Sequence, residues 1–199
     1  MPTAEEPAVN DATPAATPAA TPTATPADVT LRALGPDEAA GHAAELAEVL
    51  IDCVHGGASV SFMAPLPQPK ALAFWQRVAE GVARGERVLL VAEDGTGQVI
   101  GTVQLVLDQP DNQPHRADIA KMLVHRRARR QGIARRLLAA AEDAARAAGK
   151  TVLVLDTVTG GDAERLYARC GWQRVGSIPN YALMPDGALC STTYFHKQL

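Results

Sequence analysis

Six arginines surround a single glycine in a chain that carries no overall positive charge. The segment "RRARRQGIARR" runs from Arg126 to Arg136 and contains Gly132, whereas the formal net charge of the 199 residues is -3 at pH 7. Backbone N–H groups at the start of a helix bind anions together with the helix dipole, and arginines add charge-assisted hydrogen bonds. Small residues at Gly132 and Ala134 leave room for a phosphate beside the backbone. The segment therefore predicts a site for a phosphorylated ligand.

Two alternative roles for the arginine run compete with an anion site. A run of like charges at the start of a helix is often only a solvated face. Nucleic-acid binding is the second alternative, but the run has no interleaved aromatic residues, belongs to no recognisable nucleic-acid module and lies in a mildly acidic chain. We therefore expect no nucleic-acid partner and favour the anion site, because its spacing is specific.

The elements that would position this turn follow from the apolar pattern. Residues 29–199 predict a mixed α/β domain in the order β-α-α-β-β-β-α-β-α-β-β. The strand "ADIAKMLV" leads into the arginine-rich turn, and the alanine-rich helix "IARRLLAAAEDAARAAGK" follows it. The next strand, "TVLVLDTV", is nearly all apolar, as expected where both sheet faces are covered. We expect Asp162 to cap the short helix after it and Gly171 to end that helix.

Composition excludes several classes of protein. Residues 1–28 repeat alanine, threonine and proline with hardly any large apolar side chain, which predicts a disordered tail. The tail lacks the pattern of a signal peptide, and no later apolar run reaches the roughly 20 residues that span a bilayer. Three scattered cysteines, Cys53, Cys170 and Cys190, argue against a disulfide framework or a structural zinc. We expect a cytoplasmic protein with no metal and no membrane partner.

Two segments resemble the signatures of the GNAT superfamily of acetyl-CoA-dependent N-acetyltransferases. "RRQGIA", residues 129–134, matches R/Q-x-x-G-x-G/A, and "AERLYARCGW", residues 163–172, matches A-x-x-L-Y-x-x-x-G-F/W. The likeness covers residues 29–199 and implies a mixed α/β (α+β) fold, with a mostly antiparallel central sheet of about seven strands flanked by four helices. Within the superfamily, "VHGGASVSFMA" and "RVGSIPNY" are similar to the tabtoxin-resistance branch.

The resemblance implies acetyl-CoA as the cosubstrate. The strand edge would pair with the pantetheine arm, the amides of the turn would bind the pyrophosphate, the arginines would also meet the 3′-phosphate, and the N–H of Val124 would polarise the thioester carbonyl. The residues implied in this binding are Met122, Leu123, Val124, Arg129, Arg130, Gln131, Gly132, Ile133, Ala134 and Arg135. Gly160 departs from the asparagine that many members carry, so one side-chain contact to the cofactor is expected to be missing.

Acetyl transfer to an amine needs one group to take the proton of the ammonium and another to protonate the leaving thiolate. A carboxylate can do the first, and the resemblance implies Asp118 in the strand before the turn and Asp156 after "TVLVL". It implies Tyr167, in the second signature, as the donor to the sulfur. Cys170 has no patterned histidine beside it, so direct attack by the amine is favoured over a covalent acetyl-enzyme.

The amine is expected between the loop "VHGGASVSFMA" and the later segment "SIPNYALMPDG". His55, Ser59, Phe62 and Tyr181 are the candidate contacts there. With the branch resemblance, they favour a small-molecule amine such as an amino-acid-like toxin or antibiotic, and hence a resistance role. A non-catalytic acyl-CoA-binding sensor and a GNAT enzyme acting on a protein or peptide amine stay open, as does the oligomeric state, a homodimer included.

Overall fold

A single sheet runs through the molecule. The computed structural model describes residues 29–199, and the predicted disordered tail, residues 1–28, lies outside them. The strands are β1 (Thr30–Leu34), β2 (Arg87–Glu93), β3 (Val99–Val106), β4 (Arg116–Val124), β5 (Val152–Val158), β6 (Gln173–Leu183) and β7 (Leu189–Gln198). Their order in the seven-stranded sheet is β1-β2-β3-β4-β5-β7-β6. Only β4 and β5 pair in parallel, which confirms the prediction of a mostly antiparallel sheet.

The described residues form five α-helices rather than four. They are α1 (Pro36–Gly41), α2 (Ala43–His55), α3 (Gln68–Ala83), α4 (Ile133–Ala147) and α5 (Asp162–Arg169). The first predicted helix is broken at His42, which follows the weak helix former Gly41 and whose Nδ1 lies 2.9 Å from the carbonyl oxygen of Glu38. Gly171 follows α5 with φ +80, as its predicted role at the end of that helix requires. None of the helices in residues 29–199 is long and apolar enough to cross a membrane.

The start of α5 differs from the prediction. Gly161 is the N-cap residue and makes no side-chain hydrogen bond, whereas Asp162 is already inside the helix and pairs with Arg165 one turn later. The carboxylate of Glu164 instead reaches back to accept the N–H of Gly160. The expected cap at Asp162 is therefore wrong, because Asp162 is the first residue of the helix and its carboxylate pairs with Arg165.

Helices cover both faces of the sheet. On one face α4 packs Leu137 and Ala141 into a core that includes Leu105 and Leu153. On the other face α1, α2 and α3 surround a second core built on large buried side chains, among them Leu46, Leu50, Trp75 and Val91. Burial of apolar side chains on both faces explains why the central strands read as nearly continuous apolar runs.

The parallel pair separates after only three residue pairs. The pairing of β4 with β5 runs from Arg116 opposite Val152 to Asp118 opposite Val154, and both strands then continue without each other. Before the turn, β4 also contains a bulge, because Thr102 faces Leu123 whereas Gln104 faces Ala120. The carboxyl ends of two neighbouring strands therefore enclose a gap in the sheet.

Candidate active site

The turn between β4 and α4 presents unpaired backbone donors. A short 3-10 helix, Arg126–Ala128, precedes the turn, and both Arg130 and Gly132 have positive φ angles, +63 and +77. Within residues 29–199, the N–H groups from Gln131 to Arg135 have no backbone acceptor. A Cβ atom added at Gly132 would meet no heavy atom within 4 Å apart from its own chain neighbours, so the space beside these donors is open. The arrangement is a cradle for an anion at a helix N-terminus.

Asp52, in the last turn of α2, holds this turn in place. Its carboxylate accepts hydrogen bonds from the backbone N–H of Arg126 at 2.8 Å and from Nε of the same residue at 2.7 Å. Burial raises the pKa of Asp52, but the two hydrogen bonds from Arg126 outweigh it, and the net pKa lies below its ordinary value. Asp52 is therefore ionised at neutral pH and anchors the start of the arginine run.

The arginine run has two different roles. Arg127 donates to Gln98 Oε1 at 2.6 Å, and Arg136 donates to the carbonyl oxygen of Val29 at 2.8 Å, so both tie the turn to the rest of the fold. Arg130 and Arg135, by contrast, are exposed beside the cradle. Only part of the positive charge of the run therefore remains exposed beside the cradle.

The end of β4 exposes backbone groups to the gap. The N–H of His125 bonds to the carbonyl of Ile100, and hydrogen bonding alternates along an antiparallel pair, so Leu123 pairs with β3 whereas the N–H and C=O of Val124 face away from it. The carbonyl oxygen of Val124 accepts from Arg129 Nε at 3.1 Å. Leu123 is buried in the α1–α3 core and does not face the gap, while Met122 and Val124 pack toward α4. Val124 is therefore the residue of this group whose backbone polar groups are directed at the gap.

Ile133 and Gln131 point inward from the cradle. The Ile133 side chain is 2% exposed in the core under α4, so its backbone N–H is its only group available at the turn. The Oε1 atom of Gln131 is buried without a hydrogen-bond partner among the described residues. Ala134, at the start of α4, is partly buried and adds little bulk beside the donors.

Tyr167 lies in α5 against the core. Its ring is buried, with ring centroids 6.0 Å from Trp172 and 6.1 Å from Phe195, and its hydroxyl forms no hydrogen bond with the described residues. Burial raises the pKa of Tyr167 above its ordinary value, and the charge of Asp156 raises it further. The phenol is therefore neutral and keeps its proton at neutral pH.

The two candidate carboxylates lie on the same sheet face but in different surroundings. Their neighbours in the strands point into the α4 core, so alternation directs Asp118 and Asp156 to the opposite face. Asp118 forms an ion pair with Arg116 and accepts from Gln109 Nε2 at 3.3 Å. Asp156 is exposed and accepts one hydrogen bond from Thr192 Oγ1 at 2.8 Å. Asp156 thus has more capacity left for a substrate.

The four expected substrate contacts each have partners within the fold. His55 Nε2 accepts the backbone N–H of Leu66 at 3.1 Å, and Ser59 Oγ donates to the carbonyl of Leu183 at 2.8 Å. Phe62 packs edge-on against Phe74, with centroids 5.3 Å apart. His55 and Ser59 hold the 56–67 loop in place, and the N–H of Ala64 also donates to the carbonyl of Pro185 at 3.0 Å, so the loop contacts the β6–β7 segment directly.

Tyr181 belongs to a pair of hydroxyls near Asp156. Tyr181 is 50% exposed, and its hydroxyl accepts a hydrogen bond from the Tyr194 hydroxyl at 2.9 Å. Tyr194 is the cross-strand partner of Asp156. The hydrogen bond to Tyr181, together with burial, raises the pKa of Tyr194 to about 12. Tyr194 was not singled out from the sequence, because only strand pairing brings it beside Asp156.

Lys121 is a second residue that the sequence did not reveal. It lies in the bulge of β4 with φ +50, and its Nζ donates to Ser61 Oγ at 3.2 Å. The one available signal was a lysine that, together with Asp118, interrupts the apolar run "ADIAKMLV". Among residues 29–199, no group of His, Cys, Asp and Glu is arranged to hold a metal ion.

Known proteins share this chain's sequence pattern and fold. The profile of the Acetyltransferase (GNAT) family matches residues 54–172. An uncharacterised N-acetyltransferase from the hisH-hisA intergenic region of Azospirillum brasilense is 35% identical over 115 residues, which is 56% of this chain and 66%, just under two thirds, of that protein.

Solved structures agree with the architecture. yncA of Salmonella typhimurium, described as an acetyltransferase and solved with its cofactor acetyl-CoA, has a TM-score of 0.71 at 22% identity. The match covers 86% of this chain and 94% of the yncA chain. A GCN5-related N-acetyltransferase of Kribbella flavida has a TM-score of 0.72 at 20% identity, and the match covers 88% of this chain and 100% of the Kribbella chain. The family profile spans more than half of the 199 residues, including both signature segments. The chain belongs to the GNAT acetyltransferase family.

Proposed function

We propose that this protein transfers the acetyl group of acetyl-CoA to the amine of a small molecule by direct attack. The observation that carries the proposal is the gap between β4 and β5, flanked on one side by the unpaired donors of the turn. A strand edge beside a helix N-terminus fits an extended ligand that carries phosphates. When bound, acetyl-CoA supplies the activated acetyl group.

The chain's own groups fit such a cosubstrate. The N–H groups from Gln131 to Arg135 would hold a pyrophosphate, with Arg130 and Arg135 adjacent. The open space at Gly132 supports this assignment, because a bulkier residue would stand where the phosphate is expected. The N–H of Val124 would donate to the thioester carbonyl, and Met122 would line the pantetheine arm.

Proton transfer is assigned to Asp156 and Tyr167. Asp156 would take a proton from the ammonium form of the substrate, leaving the amine able to attack the carbonyl carbon. Tyr167 would donate its proton, or a hydrogen bond, to the sulfur as the carbon–sulfur bond breaks. A thiol has a pKa of about 8.5, well below the raised pKa of Tyr167. A hydrogen bond from the phenol to the developing thiolate is therefore favoured over complete proton transfer before the carbon–sulfur bond breaks.

Asp118 is the alternative base, and a pair of variants separates the two carboxylates. The ion pair with Arg116 occupies Asp118, so Asp156→Asn is expected to lower kcat about 10²- to 10⁴-fold and Asp118→Asn much less. Rates measured from pH 6 to pH 10 for both variants test the assignment. A larger loss in Asp118→Asn would assign the base to Asp118 instead.

For the substrate, we propose a small polar amine of the amino-acid-like toxin or antibiotic class, as in the tabtoxin-resistance branch. The three free cysteines support the cytoplasmic location that such a role implies. We further propose a homodimer formed through the β6–β7 hairpin, which carries exposed apolar residues at Val175, Ile178 and Leu189. Light scattering measures the molar mass of the wild type and of Val175→Lys. A dimeric wild type and a monomeric variant support the proposal, whereas a monomeric wild type contradicts it.

The direct test of the function is thiol release from acetyl-CoA with a panel of amines, amino acids and amino-acid toxins. Turnover of small amines supports the proposal. Acetyl-CoA binding without turnover of any of them favours a non-catalytic sensor, and selective turnover of peptide N-termini or lysine side chains favours a protein-directed enzyme. Growth of a sensitive host carrying the gene, in the presence of the toxin that is turned over, tests the resistance role.

A further inference from the structure

Lys121 is held by the fold in an unusual position for a lysine. The bulge in β4 and its φ of +50 place the side chain on the substrate side of the sheet, with Nζ 5.8 Å from the centroid of the Phe74 ring. Its one hydrogen bond goes to Ser61, and it forms no ion pair with the described residues. A partly buried cation without a counter-ion is costly, unless a ligand provides the opposite charge.

A second cation lies close to Lys121. Burial lowers the pKa of Lys121, the Asp156 carboxylate raises it and Arg87 lowers it further, so both groups are close enough to act on it. Arg87 donates from Nη1 to Gln104 Oε1 at 3.0 Å, but it too forms no ion pair with the described residues. Two cations with no ion-pair partner therefore share the face on which Asp156 lies.

One buried donor of Arg87 itself and one of its neighbour Gln104 lack acceptors. Arg87 Nε and Gln104 Nε2 have no hydrogen-bond partner in residues 29–199, although Gln104 is only 1% exposed. Buried donors are normally paired, so two orphans in one hydrogen-bonded pair of side chains indicate a missing acceptor. The guanidinium also lies against α3 at Gly81, where an added Cβ would come within 2.5 Å of Nε.

A surface pocket of about 390 Å³ lies along α3 and reaches Arg87 at the start of β2, and Phe74 is part of its lining. Its charged lining consists of Arg77, Arg84, Arg87 and Glu80. Arg84 is paired with Glu86 at 2.5 Å, and the other charged lining residues, Arg77 and Arg87 with Glu80, leave a net positive charge. Phe74 connects this pocket to Lys121, because it lines the one and lies under the ammonium of the other.

We propose that Lys121 and Arg87, supported by Gln104, bind an anionic group of the amine substrate, a carboxylate or a group of similar charge and size. The inference rests on the proposed acetyl transfer and narrows its substrate class to amines that also carry a negative charge. Asp156 would bind the ammonium of the substrate, and Lys121 and Arg87 would bind its anionic group, so both ends of a zwitterion would meet a group of opposite charge. Lys121 then acts as a specificity determinant, and a neutral amine lacks half of the recognition.

The test compares acceptors that differ only in the carboxylate, under saturating acetyl-CoA. Phenylalanine and phenethylamine form one pair, and histidine and histamine form another. Wild-type protein should favour the carboxylated member, and Lys121→Met should lower its kcat/KM about 10- to 100-fold, mainly through KM. The decarboxylated member should change by less than about threefold.

Two further variants control for folding and for general charge. Arg87→Lys keeps the charge and removes the Nε donor, so it should show a smaller loss with the same carboxylate selectivity. Lys70→Met removes a surface lysine that lies over the Phe62 ring, 6.0 Å from the centroid, and should leave both members unchanged. Thermal melts of all three variants show whether any loss reflects unfolding.

A binding measurement separates failure of the subsite from failure of the proposed function. Calorimetric titration of 3-phenylpropionate, in the presence of coenzyme A, requires no turnover. Binding that Lys121→Met abolishes supports the subsite even if no amine is acetylated. Equal turnover of both members of each pair, equal losses for both in Lys121→Met, or no saturable carboxylate binding to the wild type would overturn it.

Discussion

Tyr167→Phe should separate catalysis from stability. The side chain is largely buried, but its hydroxyl forms no hydrogen bond with the described residues, so its removal breaks none of the contacts worth about 1 kcal/mol each that a paired hydroxyl makes. The ring keeps its packing against Trp172 and Phe195. We therefore expect the free energy of unfolding to change by less than about 0.5 kcal/mol.

The catalytic loss should be much larger. Loss of a general acid typically costs 10²- to 10⁴-fold in rate, which corresponds to about 2.7 to 5.5 kcal/mol in activation free energy. The assay is initial-rate thiol release at saturating acetyl-CoA, with acetyl-CoA affinity measured by calorimetry and stability by thermal melting. Affinity and melting temperature should stay near the wild-type values while kcat falls.

The matched control is Phe195→Leu, which changes packing beside the Tyr167 ring and leaves the hydroxyl in place. It should lower stability by about 1 kcal/mol and retain most of kcat. Because burial raises the pKa of Tyr167, the phenol stays protonated through pH 10, and the wild-type rate should show no falling limb from this residue below that pH. A Tyr167→Phe variant with full kcat, or one that loses rate only in step with its melting temperature, would refute the assignment.

Three further outcomes follow from contacts outside the chemistry. Gly132→Ala forces a residue with a side chain to φ +77, so stability should fall by about 1 kcal/mol and acetyl-CoA should bind more weakly by calorimetry, whereas Gly97→Ala, at φ +82 in a hairpin turn, should affect stability alone. Asp52→Asn should weaken acetyl-CoA binding at pH 7. Because the pKa of Asp52 is lowered in the folded protein, its carboxylate stabilises the fold above about pH 4, and this stabilisation is lost as the pH falls. The melting temperatures of variant and wild type should therefore converge in acid, and a difference that stays constant with pH would contradict the assignment. Glu142→Gln removes the ion-pair partner of Lys197, 2.7 Å away, and should lower the free energy of unfolding in urea by about 3 kcal/mol. The double variant Glu142→Met with Lys197→Met should recover much of that loss.

The anion cradle could be predicted from the sequence because its parts are local. A strand, a glycine turn and a helix N-terminus lie within twenty residues, and the backbone alone supplies the donors. The end of α5 at Gly171 was accessible for the same reason. Signals that depend only on neighbours along the chain are those that one sequence carries best.

The partners of individual side chains could not be predicted in this way. Arg126 meets Asp52, and Arg127 meets Gln98, across 74 and 29 residues of chain. The charge run looked uniform, yet these long-range pairs divide it into anchors and exposed cations. Arg87 likewise lies in no motif. Its lack of an ion pair, and of an acceptor for Nε, depends on strand pairing and on a glycine in α3.

The bulge in β4 explains why one short strand can serve both cores and the gap. Before it, Ala117 and Ile119 point toward α4; after it, Leu123 points into the α1–α3 core and Val124 toward α4. Without the extra residue, alternation would put Leu123 on the α4 face, and the polar groups of Val124 would pair with β3 instead of facing the gap. The same irregularity that removes Lys121 from the ladder therefore places its ammonium on the substrate side and turns the strand's backbone toward the site expected for the thioester.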